Sequence, residues 1–292
     1  MFFIVLLFIN NLTHAKKKPT FADYVKETKL IIGLNEYPEC ADEEVKAIID
    51  SANAALKFAV YNYWDFTEVV DCMPLSEAKE KAKKEKIYSV ANINLGFVNR
   101  KTYDFKGIYT TEGDMFQIYY PNKGNFITYL PYHEKCIGKA PVVFSTIQLQ
   151  KSFDHMLKGE NFTFAESGPL IIEKTLLIPQ EYLSPEISKS DIQLSYPYDF
   201  DICDLEKVKN AILEKDPKYA IISFIAHPII YDAKSFGDYE YRMYVSGTKD
   251  GFRYEEDLGT KFKLSVAGVR ITKKPSIAER ELKILGEIPL GK

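Results

Sequence analysis

Two stretches of this chain carry the same succession of apolar and polar positions. Lys29-Leu-Ile-Ile32 is a short apolar run of the kind that makes a buried strand. It leads into residues 42–57, where Val45, Ile48, Ile49, Ala52 and Leu56 recur at helical spacing behind an acidic first turn. A second helical stripe follows at Leu75, Ala78 and Ala82, and then an apolar strand, Tyr88-Ser-Val-Ala-Asn-Ile93. The second half runs through the same series. Lys174-Thr-Leu-Leu-Ile178 is the strand, residues 186–195 a shorter helical stretch, and Leu205, Val208 and Ile212 the second stripe. Asp204 is placed to cap that last helix, and Tyr219-Ala-Ile-Ile-Ser-Phe224 is the strand after it.

The segment before each second stripe also recurs. Tyr61-Asn-Tyr63-Trp-Asp65-Phe66 returns as Tyr196-Pro-Tyr198-Asp199-Phe200, one residue shorter, and each copy runs into a β-type stretch, 67–71 or 201–203. Both halves continue with strands rich in Tyr, Phe, Ile and Val, with hairpin signals at Lys123-Gly124-Asn125 and Lys249-Asp250-Gly251. A helix closes each half, over 142–158 ending at Gly159 and over 276–286 ending at Gly286. The pattern predicts an α+β fold made of two tandem duplicated α/β units. Each reads strand–helix–strand–helix–strand, then an antiparallel meander and a terminal helix. The units are residues 16–160 and 161–292, with the boundary in 160–172. Phe66 and Phe200 are expected to be buried at matching places. Asp65 and Asp199 are expected to be scaffold carboxylates that cap turns.

Residues 2–9 are apolar throughout, too few to cross a bilayer core, which takes about 20. Thr13-His14-Ala15 and then three lysines follow, the order of a secretory signal peptide cleaved after Ala15. This places the mature chain outside the cell or in the periplasm, without stable membrane insertion.

Charge removes one class of partner. There are 20 basic and 20 acidic residues in 16–160, and 18 and 21 in 161–292, so neither half is steered toward nucleic acid. The densest cluster pairs Glu77 with Lys81 and Glu80 with Lys84, the spacing of a solvated helix face. Enzyme signatures are missing: no GxSxG elbow, Walker A loop, HExxH, GxGxxG after a strand, or EF-hand loop. Cys40, Cys72, Cys136 and Cys203 are widely and irregularly spaced, with no CxxC pair. They are expected to be mostly buried thiols, with one bridge in the first half as the alternative. His133 and Cys136 have a ligand-like spacing but lie in a loop with no second pair nearby. No cofactor follows from any of these residues.

Lys174-Thr-Leu-Leu-Ile-Pro-Gln-Glu-Tyr-Leu183, Tyr196-Pro-Tyr-Asp-Phe200 and Glu214-Lys-Asp-Pro-Lys-Tyr-Ala220 resemble segments of a group of uncharacterised exported proteins of Gram-negative bacteria. The resemblance covers roughly residues 170–230 and carries no activity with it. In the order of elements, both units resemble the small α/β domains of the Tol-system translocation protein and of the curli-secretion lipoprotein. That second resemblance implies a periplasmic interaction module.

The expected function is a noncatalytic binding module for a protein, peptide or glycan partner. The alternative is a carboxylate-dependent hydrolase with its site between the two domains. Binding residues are expected in the meanders, where the halves differ most: Tyr119, Tyr120, Tyr239, Tyr241 and Arg242. Amino-terminal sequencing of the exported protein should begin at Lys16. Recovery of a folded secreted form that retains Phe2–Ile9 would refute the signal peptide.

Overall fold

The computed structural model describes residues 18–95, 114–131, 136–160, 169–229, 238–249, 253–262 and 276–287. Residues 1–15 lie outside them. In the first half the elements are α1 (Phe21–Lys26), β1 (Lys29–Leu34), α2 (Glu43–Tyr63), β2 (Val69–Pro74) and α3 (Leu75–Glu85). They continue through β3 (Tyr88–Asn94), β4 (Met115–Tyr120), β5 (Gly124–Tyr129) and α4 (Lys139–Lys158). The second half has β6 (Thr175–Pro179), α5 (Lys189–Ser195), β7 (Phe200–Cys203) and α6 (Leu205–Glu214). It ends with β8 (Tyr219–Ile229), β9 (Asp238–Gly247), β10 (Arg253–Phe262) and α7 (Glu279–Glu287). The fold is α+β, as the periodicity predicts.

Two five-stranded sheets result, ordered β2-β1-β3-β4-β5 and β7-β6-β8-β9-β10. In each, the first three strands are parallel and the last two antiparallel. Strand order and direction are therefore the same in both units. The parallel strands β1 and β6 are covered on both faces, which is why they read as continuous apolar runs.

The local signals are realised by side chains. The Asp42 carboxylate accepts the Val45 N–H at 2.9 Å and starts α2, and Asp204 does the same for α6 through the Lys207 N–H at 2.8 Å. Ser188 and Asp191 form a capping box on α5. The 121–123 hairpin turns through Asn122 and Gly124 at φ 65° and 84°, the left-handed region such a turn demands. Residues 250–252, which hold most of the second hairpin signal, lie outside the described residues. Gly286 does not end α7. A Cβ there would stand 2.5 Å from the Ser195 carbonyl oxygen, so this glycine serves the close approach of α7 to the end of α5.

The repeated aromatic motif is offset from the repeat in space. In the first unit Tyr61 and Tyr63 belong to the last turn of α2, and Trp64 is its C-cap. In the second unit Tyr196 is the C-cap of α5. The matching aromatic pairs are Trp64–Phe66, edge to face at 5.9 Å, and Tyr196–Tyr198, edge to face at 5.2 Å. Further along, the Leu30 N–H meets the Glu68 carbonyl as the Leu176 N–H meets that of Asp199. Phe200 therefore stands where Val69 does. Phe66 and Phe200 are not equivalent and are only half-buried, whereas Trp64 and Tyr196 are the buried rings.

Helix α4 joins the units. Every residue from Ala140 to Gln150 is buried, because α1, α2, β4 and β5 cover α4 on one side and α6 covers it on the other. One apolar cluster runs from Leu30, Ile32, Leu56 and Phe116 through Phe144 and Leu149 to Leu177, Val208, Ala211 and Ile221. The Tyr63 hydroxyl adds a hydrogen bond to the Leu213 carbonyl at 2.6 Å across the joint, and Lys215 stands 4.8 Å from the centre of the Tyr63 ring.

Phe153, fully buried on α4, is the hub of the first unit. Phe21, Trp64, Phe66 and Phe126 surround it with ring centres at 5.1–6.4 Å. One turn before it, the Gln150 side chain accepts from the Asp65 and Phe66 N–H groups at 2.7 and 3.1 Å and donates to the Tyr63 carbonyl at 2.9 Å. This amide closes the end of α2. Phe153→Ala should lower stability by about 3–5 kcal/mol. Chemical denaturation followed by fluorescence of the single tryptophan, Trp64, will measure it, and a loss under about 1 kcal/mol would show that the hub is not a structural centre.

Candidate functional site

Tyr119 and Tyr120 are neighbours on β4, so strand alternation sends them to opposite faces of the first sheet. Tyr119 packs against the Ile31, Ala78, Ala82 and Val90 cluster on the α3 side, with the Lys79 ammonium 5.7 Å from its ring centre. Tyr120 stacks on Tyr24 of α1 at 5.6 Å, and Lys123 stands 4.3 Å from the Tyr24 ring. Both are half-buried, and they do not share a surface. Tyr239, Tyr241 and Arg242 lie on β9, with backbones opposite Pro228, Ala226 and Ile225 of β8. Their side chains are outside the described residues.

A depression of about 380 Å³ opens beside α6. Its aromatic wall is Tyr219, at the start of β8, and Asp204, Lys207, Glu214, Asp216 and Lys218 contribute the polar walls. Lys218 stands 4.5 Å and Lys207 5.9 Å from the Tyr219 ring centre. Each ammonium has a carboxylate partner, Asp201 for Lys207 and Asp216 for Lys218. Hydrogen bonds to those partners raise both lysines above the ordinary range. Partial burial works to raise Asp216, but hydrogen bonds from the Lys218 backbone and side chain outweigh it and hold the carboxyl low. In the depression Lys207 and Lys218 are thus paired with carboxylates around one ring.

The same constellation recurs in the first unit. Lys81 pairs with Asp71 at 3.4 Å and stands 5.1 Å from the centre of the Tyr88 ring. Asp71 and Asp201 are opposite the matching residues Ile31 and Leu177, and Tyr88 and Tyr219 opposite Lys29 and Thr175. These are the carboxylates at equivalent places; Asp65 and Asp199 are not. The turns use the backbones of that second pair, the Asp65 N–H and the Asp199 carbonyl, rather than their side chains as caps. Sequence reasoning missed the Asp–Lys–Tyr repeat because its lysines come from different helical turns.

Between the units lies packed apolar side chain, joined into one buried cluster. The carboxyls held low, Glu186, Asp191 and Asp216, are all hydrogen-bonded at the surface. Among the described residues no three His, Cys, Asp or Glu side chains gather as metal ligands. The four cysteines are free thiols, as expected, but are not buried: Cys40 and Cys136 are exposed, and Cys72 and Cys203, on sheet-edge strands, are half-buried. No described helix is long and apolar enough to cross a membrane. Compared with models of protein families, with curated proteins and with solved structures, the chain matches none.

Burial, with Asp201 nearby, pushes the Cys203 thiol up to about 11. At pH 8 its thiolate fraction is then on the order of 100-fold below that of an ordinary thiol of pKa about 8.5. Timed alkylation read by mass spectrometry should modify Cys40 and Cys136 well before Cys203. Equal rates would refute this ordering.

Proposed function

We propose that this chain is an exported, noncatalytic binding module of the cell envelope or extracellular space. It arose by tandem duplication of one α/β unit and captures a protein, peptide or glycan partner through the meander of its second unit. One observation carries the reading. The two sheets have one strand order, yet β8, β9 and β10 run 11, 10 and 10 residues where β3, β4 and β5 run 7, 6 and 6.

The extra length goes beyond the parallel strands. β6 pairs with β8 only over Thr175–Leu177, so from Ile222 onward β8 continues with β9 and β10 as an antiparallel ribbon. At about 3.3 Å per residue, the eight residues 222–229 span roughly 26 Å. A scaffold used twice, with an extension in one copy, places the difference where recognition can act without disturbing the core. Tyr239, Tyr241 and Arg242 belong to that extension, and Tyr and Arg are the side chains most used as interface anchors. The filled joint between the units supports binding over hydrolysis, because a substrate would need that space. Export rests on the order of residues 2–18, and the resemblance to periplasmic interaction domains fits the same compartment.

The test replaces Tyr239 and Tyr241 with Ser in the mature chain. Pull-down from the native envelope fraction and the melting temperature are measured together. Lost capture with unchanged melting is expected. Lost melting with unchanged capture would assign these rings to the fold and refute the binding face.

A further inference from the structure

The sheet faces that lie under α3 and α6 are covered to different extents. Register makes Val90 the counterpart of Ile221, and Tyr119 that of Ser246. In the second sheet this face is an internal surface. Ile221 and Ser246 are buried, and the first unit reaches the region with α4, packed on α6, and with β5, close to β8. In the first sheet Val90 is buried under α3, but Tyr119 next to it is half-buried. Asn125 and Ile127, further along the same face, are exposed. Helix α3 packs on β1, β2 and β3 of its own sheet.

The helix flank that borders this face also differs in charge. At about 100° per residue, Lys79 and Lys83 share the flank of α3 toward β4, while Lys81 lies on the other flank, paired with Asp71 of β2. Glu80 pairs with Lys84 on the outer side. Among the described residues neither Lys79 nor Lys83 has a carboxylate partner, and Lys79 instead stands over the Tyr119 ring. Lys79 is half-buried, and that burial, with Lys83 beside it, holds its ammonium below the ordinary lysine range. On α6 the same places hold Lys209 and Leu213. Lys209 pairs at 4.0 Å with Glu206, where α3 has Ser76, and Leu213 packs into the joint with the first unit.

We propose that the Lys79–Lys83 flank of α3, with Tyr119, is a binding site for an acidic helix of a partner protein, separate from the β8–β10 ribbon. The counterpart flank in the second unit already lies in an interface with a helix, α4. Lys79 and Lys83 are four residues apart, about 6 Å along the axis, the spacing of Glu side chains at i and i+4 of a facing helix. Those carboxylates supply the counter-charges that this flank of α3 lacks, and an apolar neighbour covers the open part of the Tyr119 ring. A half-buried ammonium gains more from such a partner than a fully exposed one, because less water screens the pair.

The experiment titrates the mature chain into a fluorescein-labelled peptide of about 18 residues, repeating Leu-Ala-Ala-Glu and held helical by a hydrocarbon staple, and reads anisotropy at low salt. A peptide with Lys in place of Glu is titrated in parallel. Saturable binding of the Glu peptide alone is expected, weakened about tenfold in Lys79→Gln/Lys83→Gln and unchanged in Lys84→Gln. The charge reversal Lys79→Glu/Lys83→Glu should exchange the preference for that of the Lys peptide. Trp64 fluorescence confirms that each protein is folded, and Lys83→Gln alone is read if the double variants do not fold. No binding of the Glu peptide up to about 1 mM would overturn the proposal, as would equal binding of both peptides. An equal loss in Lys84→Gln would overturn it too. So would tighter binding of heparin or of a single-stranded oligonucleotide at the same lysines, which would make the flank a polyanion surface.

Discussion

The burial of α4 on all sides is the constraint on which the rest of the molecule depends. A helix can be apolar around its whole circumference only when another layer covers its second face. Every residue of α4 from Ala140 to Gln150 is buried, and the covering layer on the second face is α6 of the second unit. The first unit thus completes its core with a surface that belongs to the second. Two polar groups make this tolerable inside the helix: Thr146 bonds back to the Val142 carbonyl at 2.8 Å, and Gln150 is fully engaged at the end of α2. Among the described residues the Nε2 of Gln148 has no partner, a cost the surrounding apolar packing must outweigh.

That single joint fills the space between the two units with apolar side chains. Where two domains meet across a cleft, catalytic groups from both can converge on a substrate. Here α4 and α6 occupy the space, and the units form a continuous apolar interior. What differs between them has moved outward, to the longer meander of the second unit. The Asp–Lys–Tyr constellation is present in both, and each of its lysines is ion-paired to the aspartate of its own unit. The second unit buries its own outer face under α5 and α7, around Tyr196, Ile192 and Leu285.

Much of the architecture was legible along the chain because it is local. The stripe at Val45, Ile48, Ile49, Ala52 and Leu56 fixes a helix face by spacing alone, and all five are buried. Asp204 caps α6 through its own side chain, and Tyr88 and Tyr219 open strands in matching register. The opposite facing of Tyr119 and Tyr120 was also readable, since adjacent strand residues alternate. The true alignment of the aromatic motif was not. It depends on α2 running on to Tyr63 while α5 stops at Ser195, a difference in helix length that the shared letters conceal.

By itself, then, the sequence determined the elements, their order and the repeat of that order, because periodicity and capping act over a few residues. Only the tertiary structure decided that α4 lies between two layers, that Cys40 and Cys136 are exposed, and that Asp71 and Asp201 rather than Asp65 and Asp199 are the equivalent carboxylates. Each of these depends on contacts between residues far apart along the chain. No local pattern encodes which face of one unit will be covered by the next.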